Sequence, residues 1–135
     1  MEAQTPLQGL IAKYQQHYWE FAELDLNDIN QPRSDGDALI HLVASYGGRD
    51  EIVLLVASGA DVNAVGDMGY TPLHNAAVKG RLDVINTLLA LGADPRIKSE
   101  FGSTPLDDAE RYEHKEAAHI LRVATKPLRP RRSGK

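Results

Sequence analysis

The stretch that decides the fold is Gly69-Tyr70-Thr71-Pro72-Leu73-His74-Asn75-Ala76-Ala77-Val78-Lys79-Gly80. Threonine followed by proline marks the start of a helix, because threonine caps the helix and proline fits its first position, where the missing N–H costs nothing. Gly80 falls where this short helix must end and the chain reverse. Apolar residues at helical spacing from Leu82 to Leu89 then predict a second helix, which Gly92 ends.

This stretch is one copy of an internal repeat. Thr71-Pro72-Leu73-His74 recurs 33 residues later as Thr104-Pro105-Leu106-Asp107, and the same step backwards reaches Ala38-Leu39-Ile40-His41. A second marker, Gly59-Ala60-Asp61-Val62-Asn63, recurs in the same register as Gly92-Ala93-Asp94-Pro95-Arg96. Two markers with one period predict stacked helix–turn–helix units, because a single unit cannot bury its apolar face alone.

These residues resemble ankyrin repeats, and the match is specific across residues 35–125. The resemblance implies an all-α ankyrin-repeat solenoid of L-shaped units, each with two antiparallel helices and a projecting β-turn finger. It also implies a concave face, made by the fingers and the first helices, that binds another protein. His41 and His74 stand at the position where the family uses the ring to hydrogen-bond neighbouring loops, so we expect both to be structural.

The register divides the chain into units. Residues 35–67 and 68–100 are predicted to be ankyrin repeats, and residues 101–125 a C-terminal capping repeat. Residues 1–34 form either a divergent repeat or a capping helix. Residues 126–135 carry five basic side chains and no acid, and we expect them to be a disordered tail.

Both ends of the array depart from the repeat pattern, as terminal caps do. The first unit carries one amphipathic stripe, made of Leu7, Leu10, Ile11, Tyr14, Tyr18, Phe21 and Ala22. No glycine interrupts Tyr14-Gln15-Gln16, so the unit is one long capping helix or a helix pair. Trp19 is expected to pack in the core or the cap. In the last unit Glu113 stands where the turn glycine belongs.

Composition and charge describe one domain of ordinary size. The chain has 135 residues, of which 42% are hydrophobic and 25% charged, and it has no cysteine, which excludes disulfides and thiol chemistry. It has neither a secretory signal pattern nor an apolar run near the roughly 18 residues of a membrane span, so we expect a cytoplasmic location. Residues 1–125 hold 10 basic and 19 acidic side chains, a formal charge of −9 that favours a partner with a basic surface.

No constellation in the sequence points to catalysis, a metal or a cofactor. His114 and His119 are five residues apart, which does not give the one-face i, i+4 geometry of a zinc helix. The acidic segment 25–30 resembles the start of a calcium loop, but Asn30 stands where the loop needs glycine. We therefore predict neither an enzyme nor a small-molecule substrate. Nucleic acid is disfavoured as a partner, because the basic tail lacks interleaved aromatic residues and the acidic body would repel it.

The register also places the candidate partner-binding residues on the finger tips and on the concave side of the first helices. They are Asp35, Asp37, Tyr46, Asp67, Met68, Tyr70, Lys79, Glu100, Phe101 and Tyr112. Ser34 shares the tip of the first finger. Large side chains surrounded by polar ones are typical of interface hot spots.

Two functions fit this face. The first is a small inhibitor or masking protein, monomeric when free, that binds one partner, for example an immunity protein that neutralises a toxin. The alternative is an adaptor that links two partners and uses the basic tail as its second site.

Overall fold

A computed structural model describes residues 5–18, 28–33 and 35–126. These residues form seven α-helices and no strand: α1 (Pro6–His17), α2 (Leu39–Tyr46), α3 (Arg49–Ala57), α4 (Pro72–Lys79), α5 (Leu82–Ala90), α6 (Pro105–Arg111) and α7 (Lys115–Thr125). None of the helices in this part of the chain has both the length and the hydropathy that crossing a membrane requires.

The helix starts reproduce the 33-residue register. The first helices of the units begin at Pro6, Leu39, Pro72 and Pro105, and the second helices at Arg49, Leu82 and Lys115. Thr5, Thr71 and Thr104 each accept a hydrogen bond from a backbone N–H three residues later, and the side chain at that third position returns the bond. The prediction that Thr-Pro starts a helix is confirmed.

The helices stack in two rows. Helices α2, α4 and α6 pack side by side in one row, α3, α5 and α7 form the second row, and α1 packs on α3. The space between the rows is filled by fully buried aliphatic side chains, among them Leu39, Ile52, Leu55, Leu73, Ile85, Leu88 and Leu121. This arrangement confirms the all-α repeat solenoid.

Helix α1 is longer than the other first helices and ends at His17, where Tyr18 turns out of the helix with φ −131° and ψ 94°. It runs on past Tyr14 because tyrosine stands there at the position where α2 and α4 end in glycine. The amphipathic stripe therefore does not form one long helix. The last members of the stripe, Phe21 and Ala22, lie with Trp19 in residues 19–27, outside the described residues. Whether residues 1–34 form a divergent repeat or a capping helix therefore stays a prediction.

The turn inside the last unit is made without glycine. Gly80, which caps α4, has the left-handed φ of 65°, and Glu113 adopts nearly the same angle, 61°, at the equivalent position after α6. A residue with a Cβ atom is strained in this region because the Cβ approaches the following carbonyl. The sequence prediction that Glu113 replaces the turn glycine is confirmed, and the replacement costs stability.

Replacing Glu113 by glycine is expected to raise the free energy of unfolding by about 1 kcal/mol, because it relieves the left-handed strain. Urea unfolding at neutral pH measures this gain. The matched control is Gly80→Ala, which creates the same strain and places a Cβ 2.5 Å from Nδ1 of His114. We expect this control to lose stability, and an E113G variant less stable than the parent would contradict the prediction.

Candidate protein-binding face

Three tight turns, which we call fingers 1 to 3, precede the first helices at residues 33–37, 66–70 and 99–103. Each is closed by the same backbone bond, from Arg33 N–H to Asp37 O, from Gly66 N–H to Tyr70 O and from Ser99 N–H to Ser103 O, all 2.8 Å long. The projecting fingers expected from the ankyrin resemblance are therefore present. Ser34, predicted from the register to share the tip of finger 1, lies outside the described residues.

The fingers are hydrogen-bonded to one another. Oδ1 of Asp37 accepts the backbone N–H of Asp67 at 2.8 Å, which joins finger 1 to finger 2. The carbonyl oxygen of Met68 accepts the backbone N–H of Glu100 at 3.0 Å, which joins finger 2 to finger 3. Met68 has a φ of 60°, in the left-handed region that favours glycine. The fingers thus form one preformed surface.

Buried histidines fix the fingers to the helices. Nε2 of His41 bonds the carbonyl oxygens of Ala64 and Tyr70 at 2.9 and 3.0 Å. Nε2 of His74 bonds the carbonyl oxygen of Ser103 at 2.9 Å. The predicted structural role of both histidines is confirmed, because each ring ties its own helix to the next finger.

The tautomer of His74 follows from its partners. A carbonyl can only accept, so Nε2 donates to Ser103 O, and Nδ1 accepts the backbone N–H of Thr71 at 3.1 Å. Burial lowers the pKa of His74, and the bond to Ser103 and the charges of Asp108 and Asp107 oppose this shift only in part. The ring is therefore neutral near neutral pH and uses both nitrogens.

The predicted acidic residues of the fingers differ in their partners. The carboxylate of Asp35 forms an ion pair with Arg33 and accepts the N–H of Asp37 at 2.9 Å. Asp37 lies 3.6 Å from the same guanidinium. The exposed carboxylates of Asp67 and Glu100 make no hydrogen bond or ion pair with any described residue. The negative charge available to a partner is therefore concentrated on fingers 2 and 3.

Large side chains lie beside these two carboxylates. Phe101 at the tip of finger 3 is 64% exposed, and Met68 at the tip of finger 2 is 49% exposed. Tyr70, by contrast, is partly buried and stacks on His74 with the ring centroids 5.3 Å apart. Of the three, Met68 and Phe101 offer a partner the most apolar surface, and Tyr70 contributes to packing as well.

The remaining predicted residues lie at the other end of the first helices. Tyr46, Lys79 and Tyr112 follow one another at the 33-residue step, at the C-terminal ends of α2, α4 and α6. Nζ of Lys79 lies 5.0 Å from the centroid of the Tyr46 ring, a cation–π contact. The ring of Tyr18 in the first unit also stacks on the Tyr46 ring, with the centroids 6.2 Å apart. We call this row the helix-end edge.

The two groups of predicted residues are well separated. Helix α4 has eight residues, so about 12 Å of helix, at 1.5 Å per residue, lies between its finger and the helix-end edge. The face therefore has an acidic finger edge and a helix-end edge that is aromatic and cationic.

Residues 7–99 match the family model described as ankyrin repeats (3 copies). The chain belongs to the ankyrin-repeat family. Ankyrin repeats are generic protein–protein interaction modules. The matched span begins in the first unit and ends before α6, whereas the sequence analysis placed the specific match at 35–125. No curated protein shows a significant match to the chain.

The first unit of the ankyrin array is fixed to the second by a partly buried carboxylate. Oε1 of Glu51 accepts the hydroxyl of Tyr14 at 2.9 Å, and Oε2 accepts Nζ of Lys13 at 2.7 Å. Burial alone would raise the pKa of Glu51, but bonds from Lys13, Tyr14 and the N–H of Gly48 together lower it below its usual value. Burial, with the bond to Glu51, also raises the pKa of Tyr14. This network positions the stacked rings of Tyr14 and Tyr18, which were not among the predicted binding residues.

Sequence reasoning also missed the environment of Asp108. The sequence pattern of Asp107, Asp108 and Glu110 is typical of the start of a helix, where the helix dipole favours acids, and it predicts no burial for Asp108. Asp107 fits that role, because its Oδ2 accepts the N–H of Thr104 at 3.0 Å. The side chain of Asp108 is instead fully buried between helices. Among the described residues, no three histidine or acidic side chains form a group that could hold a metal ion.

Proposed function

We propose that this ankyrin array binds one partner protein with a basic surface through the finger edge, and that it inhibits the partner by covering that surface. The observation that carries the proposal is the pairing of free charge with exposed apolar area on neighbouring fingers. The carboxylates of Asp67 and Glu100 lack partners among the described residues, and Met68 and Phe101 lie directly beside them in the chain. A desolvated apolar centre with charges around it is the usual composition of an interface hot spot.

The distribution of charge limits the shape of the partner. The helix-end edge carries Lys79 and the exposed Arg111 near the C-terminal ends of α4 and α6. Cations there would repel a basic patch that covered the whole face. We infer that the basic patch of the partner faces the fingers only, and that the rings of Tyr46 and Tyr112 receive less positive parts of its surface.

Masking is supported by the rigidity of the face. The fingers are joined through Asp37 and Met68 and are tied down by His41 and His74. A preformed surface loses little conformational freedom on binding, so more of its contact energy appears as affinity. We propose an inhibitor of a cytoplasmic partner, of which an immunity protein that neutralises a toxin is one form.

Charge reversal on the fingers tests the proposal. Asp67→Lys combined with Glu100→Lys is expected to weaken binding to the partner at least tenfold, about 1.4 kcal/mol, at low ionic strength. The loss should shrink as salt is added, because exposed charges are screened over a Debye length of about 10 Å at 0.1 M. Tagged wild-type and variant proteins are used to purify companions from the native cells, and the affinity of the companion is then measured at several salt concentrations.

The matched control carries the same change of charge on the second row of helices, as Asp50→Lys with Glu116→Lys. Both residues are exposed and lie in the first turns of α3 and α7. The companion should be retained by this control and lost from the finger variant. A companion that binds both variants equally well would refute the acidic-finger interface.

A further inference from the structure

Asp108 is a buried acid whose carboxylate lacks a hydrogen bond of good geometry in the described structure. Its side chain is 0% exposed, and neither carboxylate oxygen has a hydrogen-bond partner within the described structure. The hydroxyl of Ser103 interacts with Asp108 and offsets part of the cost of its burial, but it also pairs with Oγ of Ser99 at 2.8 Å. A buried carboxylate without donors is costly, so the site calls for a different chemical form of Asp108.

The repeat register shows which form fits. One unit earlier, Asn75 occupies the equivalent position on α4, and its Nδ2 donates to the carbonyl oxygen of His41 on α2 at 3.2 Å. The equivalent acceptor for Asp108 is the carbonyl oxygen of His74, because both residues lie 33 positions further along. A carboxylate cannot donate to a carbonyl, but a protonated carboxyl can, in the way that the amide of Asn75 does.

The charged groups around Asp108 do not compensate for its burial. From α4 and finger 2 it faces His74, which is neutral near neutral pH, and Tyr70. Its own helix contributes Asp107, Arg111 and Tyr112.

The charged groups on α7 do not compensate for the burial of Asp108 either. On α7, Arg122 pairs with Glu110, and Lys115, Glu116 and His119 are exposed. Burial raises the pKa of Asp108, while the Ser103 hydroxyl and the charge of Arg111 oppose the shift only in part.

We propose that Asp108 is a proton-operated latch for the last helix pair. In its protonated form it donates an O–H hydrogen bond to the carbonyl oxygen of His74 and holds α6 against α4. When the proton leaves, a buried unpaired carboxylate faces that carbonyl, and α6 and α7 loosen from the array. The latch is independent of the identity of the partner, but it acts on the proposed face, since Tyr70 and Tyr112 lie beside Asp108.

The sign of the pH dependence follows from the raised pKa. The folded state binds more protons than the unfolded chain once the pH exceeds about 4, the usual pKa of an aspartate. The contribution of Asp108 to stability is therefore fully present below that pH, and it is lost as the pH rises through the folded-state pKa. Each unit of pKa shift corresponds to about a tenfold change in the unfolding equilibrium constant.

Asp108→Asn tests the latch by urea unfolding of the full chain at pH 4 and pH 8. Asparagine can donate a hydrogen bond as the protonated acid does. The unfolding equilibrium constant of D108N should therefore be at least tenfold below that of the wild type at pH 8, and within about twofold of it at pH 4. Asp50→Asn, on the exposed start of α3, makes the same chemical change and should show no such pH dependence. If the ratio of the D108N unfolding constant to the wild-type unfolding constant were equal at the two pH values, the proposal would be overturned.

The reciprocal variant and hydrogen exchange keep the test independent of D108N. Asn75→Asp should install a second latch, so its unfolding constant should exceed the wild-type value more at pH 8 than at pH 4. Raising the pH should also reduce amide protection, corrected for intrinsic exchange, more in α6 and α7 than in α2 to α5 of the wild type. A loss of protection that is the same in all helices would show that Asp108 is not a latch. So would an N75D variant whose stability difference from the wild type does not change with pH.

Discussion

Replacing His74 by alanine is expected to lower the free energy of unfolding by about 3 kcal/mol. The ring is fully buried and bonds the carbonyl of Ser103 through Nε2 and the N–H of Thr71 through Nδ1. Alanine would leave a cavity and would also leave the buried groups of Thr71 and Ser103 without partners. Urea unfolding at pH 8, where the imidazole is neutral, measures the loss.

His119→Ala is the matched control, because His119 is exposed on α7 and its loss should change stability by no more than about 0.5 kcal/mol. Hydrogen exchange adds a local readout, since H74A should reduce protection first in finger 3, which the ring fixes. If H74A and H119A unfolded at the same urea concentration, the ring would not join α4 to finger 3 in the way described.

The pH dependence of H74A has a defined sign. Burial lowers the pKa of His74 below its usual value of 6.5, so the unfolded chain binds more protons than the folded state in the window below pH 6.5. The contribution of His74 to stability is therefore fully present above pH 6.5 and is lost as the pH falls towards the folded-state pKa. The stability difference between wild type and H74A should shrink as the pH is lowered. The difference between wild type and D108N should shrink as well, but it has the opposite sign, because D108N is the more stable protein at pH 8.

The fold was predictable because its signals are local and repeated. Thr71-Pro72 and Thr104-Pro105 cap helices through contacts within four residues, and a 33-residue step then carries the same interpretation to each unit. Even Glu113 could be assigned to a left-handed turn from its register alone. Helix α1 was less predictable, because tyrosine stands at position 14, where the glycine signal of the other units is found.

The candidate face was predictable in position but not in chemistry. Register places Asp35, Asp37, Asp67 and Glu100 on the fingers, yet it does not show that Arg33 pairs with Asp35, or that Asp37 bonds the next finger. Pairing depends on side-chain directions in three dimensions, which a one-dimensional period does not contain. The carboxylates without partners were therefore known only from the structure.

Asp108 was missed although a signal for it exists. Aligning the units places it with Asn75 and Leu42, neither of which is an exposed helix-start acid. When the equivalent position of three successive units faces inward, burial is expected there, whatever the polarity of the residue. Reading Asp108 with its neighbours along the chain, rather than with its equivalents in other units, led to the interpretation as a helix-start acid.

Stability and binding should depend on different residues in this array. Phe101→Ala is expected to weaken partner binding by about 2 kcal/mol, roughly 30-fold, because a large exposed aromatic ring beside a free carboxylate is the strongest hot-spot candidate on the fingers. The same change should leave the free energy of unfolding within about 0.5 kcal/mol of the wild type, since the ring is 64% exposed. Calorimetric titration of the purified companion measures the first effect, and urea unfolding the second.

Val123→Ala removes a comparably exposed apolar side chain, 55% accessible, from α7 in the second row of helices. It should change neither affinity nor stability, so the comparison separates loss of the interface from loss of exposed apolar area in general. Combining F101A with the D67K and E100K changes should cost less than the separate losses added together, because residues in one contact patch are energetically coupled. Equal affinities for F101A and V123A would mean that finger 3 does not enter the interface, even if the partner still depended on the charge of Asp67.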